Sequence, residues 1–269
     1  MSSAAESTKT ILLIIDPQID FHPGGSLGVP GADEDSARIA AFINDNLDQI
    51  DEIYVSLDSH HRIHIAHGVF WTSPEGEHPP PFTLIKHDDV VRGDWVPADA
   101  SLHQHAHDYT RALEDKGRFV LCIWPEHCLI GTPGHAVVPV LNQALQAWVK
   151  ANMKPVEYVH KGTNCHTEMY SALSAEVPVA DDASTELNTA LLGRLQQAKQ
   201  VLICGEAKSH CVNYTMRDLL ANWTSDPARL VLMEDCASAV PGFEAAADAF
   251  VADMKAAGCT VLAADQVQL

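Results

Sequence analysis

The chain has 269 residues, 46% of them hydrophobic and 20% charged, with 36 acidic against 17 basic side chains and a formal net charge of −19. That length holds one large α/β domain or two small ones with a sizeable core, and the acidic balance argues against nucleic acid or an anionic membrane as partner. No run reaches the roughly 18 apolar residues of a membrane span. The opening MSSAAESTKT carries no apolar signal core, so the expected location is cytoplasmic. Seven cysteines, odd in number and without paired CxxC spacing, speak against a disulfide framework or a zinc ribbon.

In chain order, strands are expected at Thr10–Ile15, Ile53–Leu57, Phe119–Ile123, Val156–Val159, Val201–Cys204, Leu230–Met233 and Thr260–Leu262. Helical spacing or good helix formers occupy Ser36–Leu47, Val137–Ala151, Leu187–Ala198, Cys211–Asn222 and Phe243–Ala257. Continuous Val/Ile/Leu strands alternating with helices predict an α/β protein whose parallel sheet is covered on both faces. The stretch Ser73–Gly117, with three consecutive prolines, many histidines and one helix expected near Ala100–Asp115, is long for a connection. It is read as an insertion within a single domain spanning 1–269.

Ligands of parallel α/β sheets gather beyond the carboxyl ends of the strands. Here those ends carry Asp16, Asp58, the Trp124–His127 segment, His160-Lys161 and the loop to Cys211. Val201–Leu220 reads as strand, tight turn and amphipathic helix with Cys211 at the helix start, where free N–H groups and the helix dipole favour a thiolate. With Asp16 to accept the thiol proton and Lys161 to supply positive charge, the set suits a cysteine hydrolase.

A second set comprises Asp58-Ser59-His60, His64 and His127. An Asp-x-His pair plus another imidazole makes a first-row metal site with open positions, suited to zinc, iron(II) or manganese. Four histidines lie in the run from Asp58 to His67, and whether His61, His64 or His67 joins His60 stays open at this level.

The motifs DPQIDF (Asp16–Phe21), DSH (Asp58–His60), WPEHC (Trp124–Cys128), GTPG (Gly131–Gly134), Lys161-Gly162 with EMYSA (Glu168–Ala172), and GEAKSHC (Gly205–Cys211) occur in that order. Together they resemble the isochorismatase-like cysteine hydrolase superfamily, and within it the nicotinamidase/pyrazinamidase branch. The resemblance implies a three-layer α/β/α fold with a six-stranded parallel sheet and a triad of Cys211, Asp16 and Lys161. It implies a divalent metal, zinc first, on Asp58, His60 and His127 with His64 as the nearest match for a further ligand. A cis peptide at Glu206–Ala207 is implied, with an oxyanion hole from the N–H groups of Ala207 and Cys211. The implied reaction is hydrolysis of nicotinamide or a similar small amide through a thioester, the alternative being another small amide or a ureido compound. Phe21 and Trp124 are candidates to sandwich a flat ring, and Tyr170 and His210 to line the pocket. Self-association is left open.

Overall fold

The computed structural model describes residues 8–269. Six strands form one parallel sheet: β1 (Thr10–Ile15), β2 (Glu52–Asp58), β3 (Glu157–Lys161), β4 (Gln200–Gly205), β5 (Leu230–Met233) and β6 (Thr260–Leu262), in the order β6-β5-β4-β1-β2-β3. The α-helices are α1 (Ala32–Asp45), α2 (His87–Arg92), α3 (His103–Asp115), α4 (Pro139–Asn152), α5 (Thr189–Leu195), α6 (Cys211–Ala221) and α7 (Glu244–Ala256).

Strand alternation builds two cores. Ile11, Leu13 and Ile15 of β1 pack with α3, α5, α6 and α7 through residues such as Leu113, Leu195, Met216 and Phe250. Leu12 and Ile14 face the other way, onto Ile39 and Ile43 of α1 and Leu145 and Trp148 of α4. Both faces being covered, the central strands are apolar throughout, as a buried parallel sheet requires. The expected three-layer α/β/α arrangement with six parallel strands is therefore present. Among the described residues no helix is long and apolar enough to cross a membrane.

One expected strand is not in this sheet. Of Phe119–Ile123 only Leu121–Cys122 is extended, and it pairs antiparallel with Leu84–Ile85 in a separate two-stranded sheet. Its apolar run is buried against the core beside α3 rather than between strands, a distinction that hydrophobicity alone does not encode. The segment still reaches the carboxyl edge of the main sheet, because the Trp124 amide donates to the Ala66 carbonyl at 2.8 Å. Within residues 73–117 the helix expected near Ala100–Asp115 is α3, preceded by a 3₁₀ turn at Ala100–Leu102, and the short α2 is additional.

The sheet order fixes which strand ends meet. Going from β1 the chain steps outward to β2 and β3, whereas β4 lies on β1's other side, so β1 and β4 flank the switch point. Register pairs Ile15 with Gly205 and Asp58 with Lys161. Asp16, Asp58, Lys161 and the loop after β4 thus emerge side by side. Gly205 sits at φ +107, and a Cβ there would collide with the backbone of Ile15. Gly205→Ala is expected to destabilise the protein by more than about 2 kcal/mol, seen as a lower urea midpoint with an unchanged slope.

Candidate active site

Lys161 ends β3, a strand that is otherwise largely exposed, yet its side chain is fully buried. Its ammonium lies 2.9 Å from Asp16 Oδ2 and 3.1 Å from Asp58 Oδ1, and donates to the Met169 carbonyl at 3.0 Å. Cys211 Sγ is 3.6 Å away. Asp16 follows β1 with φ 42, a sharp exit that turns its side chain inward, and it is held by the Ser56 hydroxyl donating to Oδ1 at 2.6 Å. Cys211 opens α6, as expected, after a turn in which the Ala207 carbonyl accepts from the amides of His210 and Val212. The Glu206–Ala207 peptide is cis. The three members of the expected triad are brought together.

The electrostatics correct one expectation. Burial pushes the Cys211 thiol well above its usual range; Lys161 opposes this, but Asp16 and Asp58 add to it. The resting group is therefore a thiol, not the thiolate that the helix start alone suggests. Burial also raises the Asp16 carboxyl, against the pull of Lys161 and with help from Asp58. Lys161 is held charged: burial works against the ammonium, and the two carboxylates more than offset it. Two carboxylates on one ammonium leave excess negative charge, which makes Asp16 a better proton acceptor than an ordinary aspartate.

On the other side of Asp58 stand the imidazoles. Asp58 Oδ2 is 3.0 Å from His60 Nε2 and 3.3 Å from His127 Nε2. His60, His67 and His127 form a group whose ligand atoms all lie within 4.8 Å of one another. Each anchors its Nδ1 on a backbone carbonyl: His60 on Gly162, His67 on Arg62, His127 on Pro125, at 3.2, 3.1 and 2.8 Å. That places a proton on each Nδ1 and turns each Nε2 inward, those of His60 and His127 onto Asp58, where a metal ion could take the place of a proton.

His64 does not share it. Its Nδ1 accepts the Ala66 amide at 3.2 Å, and its Nε2, like that of His67, is buried without a hydrogen-bond partner. The imidazole whose ligand atom falls within that close group is His67, while His64 packs on His60 with ring centroids 4.3 Å apart and His61 is exposed. His67 Nε2 is buried and makes no hydrogen bond, and burial pushes His67 down to about 3, keeping it neutral. An orphaned buried nitrogen, two further inward Nε2 atoms and a carboxylate fit a first-row divalent cation.

A pocket opens beside both sets, lined by Phe21, Trp124, His127, Tyr170, Ala207, His210 and Cys211 together with Leu27, Asp58, Glu168 and Val240. All four residues expected to line it do so. Trp124 Nε1 donates to the Tyr170 hydroxyl at 2.9 Å, and its ring meets His210 edge-on at 5.1 Å between centroids. Phe21 packs edge-on against His127 at 5.4 Å. Sequence reasoning missed Glu168 as a pocket residue. It is buried, and burial raises its carboxyl toward the neutral acid. Its position in EMYSA, seven residues past Lys161, was the available signal. A larger open groove at the amino-terminal edge of the sheet, beside Trp148, Lys154 and Arg194, holds none of these motifs.

A buried thiol, carboxylate and ammonium meet at the switch point of this α/β sheet, the side-chain types a cysteine hydrolase needs. No family model matches the chain. It is 25% identical over 214 residues to a nicotinamidase of Escherichia coli strain K12, covering 78% of this chain and 75% of that protein. Among solved structures it is similar in fold to an Acinetobacter baumanii nicotinamidase/pyrazinamidase, with TM-score 0.66, 19% identity and coverage of 99% and 100% of the two chains. PnC1 of L. infantum, solved with nicotinate, gives 0.62 at 24% identity and 98% coverage of each chain. A pyrazinamidase of Pyrococcus horikoshii, solved with zinc, gives 0.58 at 20% identity, covering 95% of this chain and 99% of that one. The chain is thus similar in sequence to nicotinamidases and shares the fold of solved nicotinamidase and pyrazinamidase structures.

The grouping of ligand atoms separates two neighbouring histidines. His67→Ala is expected to weaken zinc binding by about 10-fold or more, read by competition with a chromophoric chelator, and His64→Ala by less than about 3-fold. The reverse ranking would assign the ligand to His64.

Proposed function

We propose that this protein hydrolyses nicotinamide to nicotinate and ammonia through a thioester on Cys211. The observation that carries the reading is the buried Lys161 ammonium, 2.9 Å from Asp16 and 3.6 Å from Cys211, whose own side chain lines a pocket walled by aromatic rings. It is supported by the names of the relatives and by the nicotinate in one similar structure.

Asp16 takes the Cys211 proton, and the thiolate attacks the carboxamide carbon. The N–H groups of Ala207 and Cys211 receive the developing oxyanion; one such donor contributes typically about 3–4 kcal/mol. Asp16 returns the proton to the leaving nitrogen, ammonia departs, and a thioester remains. Asp16 then deprotonates a water that releases the acid, and passes that proton back to the sulfur. Lys161 stays charged throughout and holds Asp16 and Cys211 in register. Phe21 and Trp124 flank the planar ring, with Tyr170 and His210 completing the wall.

Asp58, His60, His67 and His127 would hold one divalent metal, zinc first. When bound, it supplies a Lewis-acidic anchor for a heteroaromatic ring nitrogen, a templating role. Residues 73–117 are read as an insertion in a single domain; their Phe82 meets Trp124 edge-on at 5.9 Å, so the insertion contributes to the pocket surroundings.

Cys211→Ala should lower ammonia release from nicotinamide by at least about 10³-fold while far-ultraviolet circular dichroism and bound metal are unchanged. Wild-type turnover in that variant, or preference for a non-aromatic amide in an ammonia-release screen, would refute the reading. The base role of Asp16 also sets a pH dependence. Its raised carboxyl must be ionised to accept the thiol proton, so kcat/KM should fall with decreasing pH through a midpoint above the ordinary aspartate range.

A further inference from the structure

Glu206 stands between β4 and the nucleophile, and the mechanism gives it no role. Its side chain is 1% exposed, and so is buried as fully as the neighbouring strand. It meets Asp35 of α1, itself 2% exposed, with the two carboxyls in hydrogen-bonding contact. Their polar atoms close into one account. Asp35 Oδ1 accepts from Arg38 at 2.7 Å, and Glu206 Oε2 accepts the Ser238 amide at 3.3 Å. Asp35 Oδ2 and Glu206 Oε1 are each buried without a donor among the described residues. Two unpartnered acceptors on neighbouring buried carboxyls are satisfied together by a single shared proton.

The proton belongs on Glu206. Asp35 already has the Arg38 guanidinium as its counter-charge, whereas burial and the Asp35 charge both push the Glu206 carboxyl well above its usual range. The other titratable or charged groups near the pair are Lys208 on the same loop, Cys204 on β4, and Asp235 and Cys236 after β5. Of these, Lys208 is the one besides Arg38 that carries positive charge. The loop that Glu206 begins is tied on the same side by the Lys208 N–H donating to the Ser238 carbonyl at 2.7 Å and by the Val240 N–H donating to the Ser209 hydroxyl oxygen at 3.1 Å.

We propose that Glu206 is a positioning residue: as a neutral acid it donates its proton to Asp35, and this shared proton holds the Gly205–Cys211 loop, with its oxyanion donors and nucleophile, against helix α1. The consequence for activity rests on the reading of Cys211 as nucleophile; the shared proton does not. A glutamine in place of Glu206 keeps both bonds, its amide N–H donating to Asp35 and its carbonyl accepting from Ser238, but it cannot ionise.

The test compares wild type, Glu206→Gln and Glu206→Ala. In D₂O at neutral pH the infrared difference between wild type and Glu206→Gln should contain a carboxylic-acid C=O band; a difference made only of carboxylate bands overturns the proposal. A group whose folded pKa is raised stabilises below its unfolded pKa, and that stabilisation is lost as pH rises. The melting temperature of Glu206→Gln minus that of wild type should therefore grow from about pH 5 to about pH 9, and a pH-independent gap also overturns it. For positioning, Glu206→Gln should retain nicotinamide turnover within about 3-fold and tolerate alkaline pH better than wild type, whereas Glu206→Ala should lose about 10-fold or more in kcat with little change in KM. If Glu206→Ala does not fold, the infrared band and the glutamine profile decide. If wild type proves inactive on nicotinamide, the rate of Cys211 alkylation across pH replaces turnover as readout, so failure of the substrate assignment is distinguishable from failure of the shared proton.

Discussion

A single buried ammonium organises this molecule's reactive edge. Lys161 is taken out of water at the end of an edge strand, which is tolerable only because Asp16 and Asp58 receive it within 3.1 Å and the Met169 carbonyl accepts a hydrogen bond from it. The two carboxylates over-compensate it. The surplus negative charge does not spread evenly: burial works against ionisation at Asp58 too, but His60, Lys161 and His127 hold it well below its usual range, while Asp16 is raised. The result is a permanently ionised aspartate on the imidazole side and a proton-accepting one on the sulfur side.

Asp58 is the hinge between the two sets of side chains. One oxygen meets Lys161 and the other meets His60 and His127, so the triad and the imidazole cluster share a carboxylate. A cation at the imidazoles would draw charge from Asp58, lessening the negative potential that holds Cys211 as a thiol. A cation at the imidazoles and the charge around the sulfur would thus be linked through one side chain.

What the sequence made legible were features a local pattern can encode. Apolar strands ending in Asp16, Asp58 and Lys161 announce their own carboxyl ends, and the parallel register then brings those ends together. The choice between His64 and His67 is not of that kind. Both lie in one histidine-rich run, and what separates them is which ring's ligand atom falls within the close group with His60 and His127, a property of the folded loop. The Phe119–Ile123 run illustrates the same limit, since an apolar stretch of that length buries equally well in a sheet or against a helix. Glu206 left no periodic trace because its partner lies 171 positions earlier, on α1.

The helix-start argument for a pre-formed thiolate illustrates how magnitudes decide. A helix terminus offers about half a charge, screened and short-ranged, and contributes roughly 0.3–1 kcal/mol at an exposed site. Against it here stand complete burial and two neighbouring carboxylates, each able to shift a group by whole pKa units. The dipole loses at rest. In the proposed mechanism it would act later, once Asp16 had taken the proton: one carboxylate charge would then be gone, Lys161 would stand beside the sulfur, and the same helix start would favour the thiolate. On that reading a thiol kept neutral until the transfer ties its activation to an ionised Asp16, the group that would next protonate the leaving nitrogen.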